Sequence, residues 1–148
     1  MIKPPEIGDT FDDFAHKNTE LMRCQCNNYA EQHTVDNKIT EIVNRYGRNW
    51  VKITVIASEL NVKQWLNGYT LREILHTMVQ RGMIEYDDST NAAREADEST
   101  KWEPGIVMGC EVACEMENGD VLFTACWYKA RPVEECGLHV TGGRRKRE

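Results

Sequence analysis

The stretch TLREILHTMVQRGMIEY, Thr70 to Tyr86, decides the fold. Thr70 and Glu73 stand at the S/T-x-x-E spacing of a capping box, in which two side chains satisfy backbone N–H groups that the first helical turn leaves unpaired. Leu71, Ile74, Leu75, Met78 and Val79 follow at i, i+3, i+4, i+7 and i+8, so one face of the helix is apolar. Gly82 suits the left-handed conformation that ends a helix, and Met83 to Tyr86 leave as a strand. The opposite face carries Arg72, Glu73, His76, Thr77, Gln80 and Arg81, which are either solvated or engaged with a partner.

Upstream, Val35, Ile39, Ile42, Val43 and Tyr46 form another helical stripe that Gly47 stops. Trp50 to Ile53 has strand character, and Thr54 is placed to cap a helix through Leu60. Nearer the start, Thr10 and Asp13 repeat the capping-box spacing. Phe11, Phe14, Ala15, Leu21 and Met22 give that helix an apolar face reaching into the twenties.

Downstream, residues 87–101 read DDSTNAAREADESTK, which is polar, acidic and nearly free of large apolar groups, so a long loop is expected. Then comes IVMGCEVACEMENGDVLFTACWYK, in which Asn118-Gly119 is the strongest short hairpin signal. With those two residues as the turn, Met116 faces Val121, Cys114 faces Phe123, Val112 faces Ala125 and Cys110 faces Trp127. Their side chains make an apolar face, while Glu111, Glu115, Glu117 and Asp120 lie on an acidic, exposed one. Beyond Pro132 the chain ends in a poorly ordered tail containing Arg144, Arg145, Lys146 and Arg147.

A chain of 148 residues can bury a core without disulfides or metals to help, and 28% charged residues place it among globular proteins. No stretch approaches the ~18 apolar residues of a membrane span. The first residues lack the apolar core of a signal peptide, so a cytoplasmic protein without membrane contact is expected. The charge of −6 divides into +3 on the last five residues and −9 on the rest. An acidic body disfavours phosphate binding, which Lys and Arg drive.

Six cysteines invite a zinc hypothesis. Cys110 and Cys114 on one strand would stand about 13 Å apart, at ~3.3 Å per residue, too far to share an ion. They read instead as small buried hydrophobes. Cys24, Cys26, Cys136 and His139 remain a conceivable set, but it requires two distant segments to meet, so neither a metal nor another cofactor is expected. No phosphate loop, nucleophile elbow or H-E-x-x-H motif occurs, and a non-catalytic protein is expected.

From Asp36 to Tyr128 the expected order is helix, short strand, helix, turn, helix, strand, acidic loop, hairpin. With WVKITVIASELN and TLREILHTMVQRGMIEY carrying the likeness, this order resembles a winged helix-turn-helix domain. The resemblance implies an α+β, winged-helix-like fold with three to four helices, a small antiparallel sheet and a long β-hairpin. Residues 1–34 would form an N-terminal helical extension, 35–130 the winged-helix-like domain with acidic loop 87–101, and 131–148 a flexible basic tail. It also implies a DNA-binding regulator whose third helix enters the major groove. Position by position, Tyr69, Arg72, Glu73, His76 and Thr77 would face bases, Lys63, Gln64 and Asn67 would lie in the preceding turn, and Lys63 and Arg81 would sit on phosphates. The scaffold also serves protein contacts. The alternative is therefore an interaction module whose acidic Glu111, Glu115, Glu117 and Asp120 meet a basic partner surface. Phe11, Phe14, Leu21 and Met22, outside the winged core, could form a homodimer seam.

Overall fold

A computed structural model of the chain describes residues 3–19, 32–98 and 110–124. Among these residues, four helices and two antiparallel three-stranded sheets form a mixed α+β arrangement. In chain order these are α1 (Phe11–Lys17), α2 (Val35–Asn44), β1 (Val51–Lys52), α3 (Ile53–Leu60), β2 (Val62–Trp65), α4 (Leu71–Gln80), β3 (Ile84–Asp87), β4 (Ala92–Glu95), β5 (Val112–Met116) and β6 (Val121–Phe123).

The amphipathic stripes pack as their spacing implies. Val35, Ile39, Ile42 and Val43 of α2, Ile56 and Leu60 of α3, and Ile74, Leu75 and Met78 of α4 are buried in one core. Two stripe positions do not follow: Tyr46 is 37% exposed and Val79 39%. Tyr46 lies beyond the end of α2, where its hydroxyl donates to Glu59 Oε2 at 2.7 Å. Thr34 caps α2 by accepting from Asn37 N. At α3 the expected Thr54 cap is not used. The cap position is Lys52, which makes no side-chain bond, and the Asn91 carbonyl accepts from Ile53 N at 2.8 Å instead.

The first sheet has the order β1-β4-β3, so the short strand before α3 pairs with the second strand of the hairpin that follows α4. This corrects the expected acidic loop over 87–101, because residues 92–95 are a strand. Ala92 and Ala93, 1% and 0% exposed, let β4 lie between its neighbours. Glu85 faces Arg94 across the hairpin, the Arg94 Nε donates to it at 2.7 Å, and the guanidinium stacks on Trp50 at 4.3 Å. Alanine and glutamate are weak strand formers, and packing overrides that preference here.

The second sheet, β2-β5-β6, replaces the bare turn expected between α3 and α4. Its hairpin does not take the register that an Asn118-Gly119 turn dictates. Val112 faces Phe123, Cys114 faces Leu122 and Glu115 faces Val121, with an irregularity between Val112 and Cys114. Only Gly119 of the turn pair has a positive φ, whereas the two-residue turn requires both. Asn118 instead accepts from Asp120 N at 2.9 Å, an Asx turn that lengthens the loop.

This hairpin is not an exposed wing. Ala113, Cys114 and Leu122 belong to the main core, and Phe123 meets Phe11 and Phe14 of α1, with centroids 6.1 and 5.6 Å away. Backbone bonds from Val112 N to Asp9 O and from Phe123 N to His33 O fasten both ends of the presumed N-terminal extension to it. Phe11 and Phe14, expected as a possible dimer seam, are 1% and 0% exposed within the single chain. Helix α1 ends at Lys17, earlier than its apolar pattern suggests, and Leu21 and Met22 lie outside the described residues.

Candidate interface on helix α4 and the β3–β4 turn

Thr70 forms its half of the expected cap, accepting from Glu73 N at 3.2 Å. With Ile74, Leu75 and Met78 inside, the register of α4 leaves Arg72, Glu73, His76, Thr77 and Gln80 exposed. The β3–β4 turn sits against this face. An Arg72 Nη2–H donates to the Asn91 side-chain carbonyl at 3.0 Å, and the Tyr86 hydroxyl donates to the same oxygen at 2.9 Å. His76 Nε2 lies 3.2 Å from Asp88 Oδ1, and its ring meets Tyr86 edge-on at 5.4 Å. The turn itself is stiffened by Asp87, which accepts from the Ser89 and Thr90 hydroxyls and from Ser89 N. Those bonds, the Ser89 hydroxyl first, hold the Asp87 carboxyl below its ordinary pKa.

Of the residues anticipated for DNA contact, Arg72, His76 and Thr77 share this surface. The Thr77 hydroxyl donates to Ile74 O at 2.7 Å, within its own helix. Lys63, Gln64, Asn67 and Tyr69 are directed to the second sheet instead. Lys63 Nζ is 3.9 Å from Glu115 Oε2, and Gln64 Nε2 donates to Glu115 Oε1 at 2.8 Å. Asn67 takes the left-handed turn position, φ 58°, and donates to Val112 O. Tyr69 donates to Glu111 Oε2 at 3.2 Å, and burial followed by that carboxylate pushes its hydroxyl pKa up. Arg81 is turned toward α2, where it donates to Asp36 Oδ2 at 2.8 Å.

The acidic set proposed for a protein partner divides in the same way. Glu111 and Glu115 are half-buried and occupied by Tyr69, Gln64 and Lys63, while Glu117 and Asp120 stay exposed at the hairpin tip. Cys110 and Cys114 are buried, and burial pushes Cys114 up to about 12, so it stays protonated. Among the described residues, no group of three or more His, Cys, Asp or Glu is arranged to hold a metal ion. Cys24, Cys26, Cys136, His139 and the tail residues Arg144, Arg145, Lys146 and Arg147 lie outside the described residues. No helix among the described residues is long and apolar enough to cross a membrane.

Sequence reasoning missed Tyr86, Asp88 and Asn91, which complete this surface. The signal was present in Asp-Asp-Ser-Thr-Asn, a run of residues whose side chains build turns on their own backbone, with an asparagine where a left-handed residue is needed. Comparison with protein-family models, with curated proteins and with solved structures found no significant match to this chain.

Proposed function

We propose that residues 35–95 are a winged-helix-type domain and that the protein is a non-catalytic DNA-binding regulator. The order α2, β1, α3, α4, β3, β4, with β1 paired to β4, supports the scaffold. The β3–β4 hairpin would then be the wing, rather than the later hairpin. That reassignment takes Glu111 and Glu115, engaged by their own chain, out of the wing, but it puts the exposed Asp88 at the wing turn, where it repels phosphate. The observation that carries the DNA reading is Arg72. It is exposed on α4 beside the turn, and its partner is an amide carbonyl rather than a carboxylate, so its charge remains available to a base edge or a phosphate.

A protein-interaction role on the same surface is the second reading, favoured by Asp88, whose side chain is 74% exposed beside His76. A gel-shift titration against mixed-sequence duplex across a salt series separates the two. The DNA reading expects salt-sensitive binding that weakens for Arg72→Ala and persists in a chain shortened after Gly143. No shift at low salt, or a shift that vanishes with the tail while Arg72→Ala changes nothing, sinks it.

A further inference from the structure

The geometry points to Asn91 as a positioning residue that aims the Arg72 guanidinium out of the α4 surface without cancelling its charge. This rests on the reading of that surface as a DNA contact. Asn91 joins three elements. Its backbone carbonyl accepts from Ile53 N at the start of α3, and its side-chain oxygen accepts from Arg72 of α4 at 3.0 Å and from Tyr86 of β3 at 2.9 Å.

The contrast with the other described arginines gives the arrangement its meaning. Arg45, Arg48, Arg81 and Arg94 each meet a carboxylate, at 2.5, 3.2, 2.8 and 2.7 Å respectively. Those guanidinium groups serve the fold, since an ion pair within the chain offsets the charge an anionic partner would use. Arg72 is held by a neutral acceptor. A fixed rotamer lowers the entropy lost when a partner immobilises the side chain, and an amide does this while leaving the full positive charge. The Tyr86 hydroxyl fixes the same oxygen from the other side, so the acceptor is itself held.

The backbone explains why asparagine can stand here. Asn91 has φ 54°, a left-handed conformation that asparagine, aspartate and glycine tolerate better than other residues. Both informative substitutions are therefore compatible with the local fold. Asn91→Asp keeps an acceptor and cancels the charge of Arg72. Asn91→Gly keeps the backbone and charge but releases the guanidinium.

Fluorescence anisotropy of the full chain with a mixed-sequence duplex over a salt series, combined with side-chain nitrogen NMR of Arg72, tests this. Arg72→Ala and Asn91→Asp are each expected to weaken binding roughly tenfold. Each should also reduce the slope of log affinity against log salt by about one. In the Arg72→Ala background, Asn91→Asp is expected to cost clearly less than in the unaltered chain, leaving only the direct repulsion of the added carboxylate, because the rest of its effect acts through Arg72. Asn91→Gly should weaken binding by a smaller factor with the salt slope kept, and should collapse separate Arg72 Nη signals into averaged ones.

Equal losses from Asn91→Asp with and without Arg72 overturn the proposal. So do Nη signals already averaged in the unaltered chain and unmoved by Asn91→Gly. Absence of duplex binding at low salt would overturn the DNA reading and this use of Arg72, while the Nη signals would still decide separately whether Asn91 holds the guanidinium.

Discussion

Arg81, at the C-terminal cap of α4, donates to Asp36 in the first turn of α2 at 2.8 Å, and the two side chains are 29% and 2% exposed. The pair pins the end of the candidate contact helix to the core, and its partners are unequal. Removing the arginine strands a buried carboxylate, whereas removing the carboxylate leaves a guanidinium that can turn to water. Breaking a buried pair from the side that leaves an uncompensated charge costs ~3–5 kcal/mol. Arg81→Ala is therefore expected to lower stability at neutral pH by about that much, and Asp36→Asn by much less, as urea denaturation would measure. Equal losses from both would contradict this asymmetry.

The same pair predicts a pH dependence. Burial pushes the Asp36 carboxyl from its ordinary 3.8 up to about 6, against the attraction of Arg81. The folded state thus holds this proton where the unfolded chain has released it. The contribution to stability is fully present below about pH 4 and is lost as pH rises through about 6. At about 1.4 kcal/mol per pKa unit, the change is on the order of 2–3 kcal/mol. Glu85, held low first by Arg94, and Glu59, held low first by Tyr46, act in the opposite sense but at partly exposed sites where screening weakens them. Comparing the unaltered chain with Asn at position 36 isolates the effect: Asp36→Asn should gain relative stability between pH 4 and 7. A constant difference across that range would refute the assignment.

Much of the helical core was legible because it rests on periodicity, which side-chain spacing encodes directly. Leu71, Ile74, Leu75 and Met78 mark one side of α4 whatever surrounds it. The sheets were harder because their pairing is decided by partners distant in sequence. Ala92 and Ala93 carry no strand signal of their own, and only their fit beside Val51 and Tyr86 makes them β4. The Asn118-Gly119 turn misled because the Asx bond of Asn118 to Asp120 competes with the tight hairpin geometry. On the candidate surface, Arg72 and His76 followed from helical phase. Lys63, Gln64 and Tyr69 did not, since their destinations depend on Glu115 and Glu111, some fifty and forty residues further along the chain.

The docking of α1 on the hairpin makes Phe14 a test of whether the N-terminal segment is integral to the fold. Its ring is fully buried, 6.0 Å from Phe11 and 5.6 Å from Phe123. Phe14→Ala removes most of that apolar contact and leaves a cavity, which costs ~3–5 kcal/mol in a close-packed core. Urea denaturation should show a single transition shifted by that amount. A loss under about 1 kcal/mol would mean that α1 contributes little beyond local helix structure.

Asp88 tests which sign of charge the β3–β4 turn presents to a partner. Its side chain is 74% exposed, and its partner His76 is 47% exposed, so the contact lies in solvent and its removal should alter stability by less than ~1 kcal/mol. On the DNA reading, Asp88→Lys replaces a charge that repels phosphate with one that attracts it. Duplex affinity should rise at least severalfold at low salt, and the dependence of log affinity on log salt should steepen by about one phosphate contact. Asp88→Asn should give a smaller gain, because it removes the repulsion without adding a cation. If instead the exposed carboxylate serves a basic protein surface, the lysine variant gains nothing toward duplex DNA. An unchanged anisotropy titration for Asp88→Lys would therefore remove the β3–β4 turn from the DNA contact, even if Arg72 remained within it.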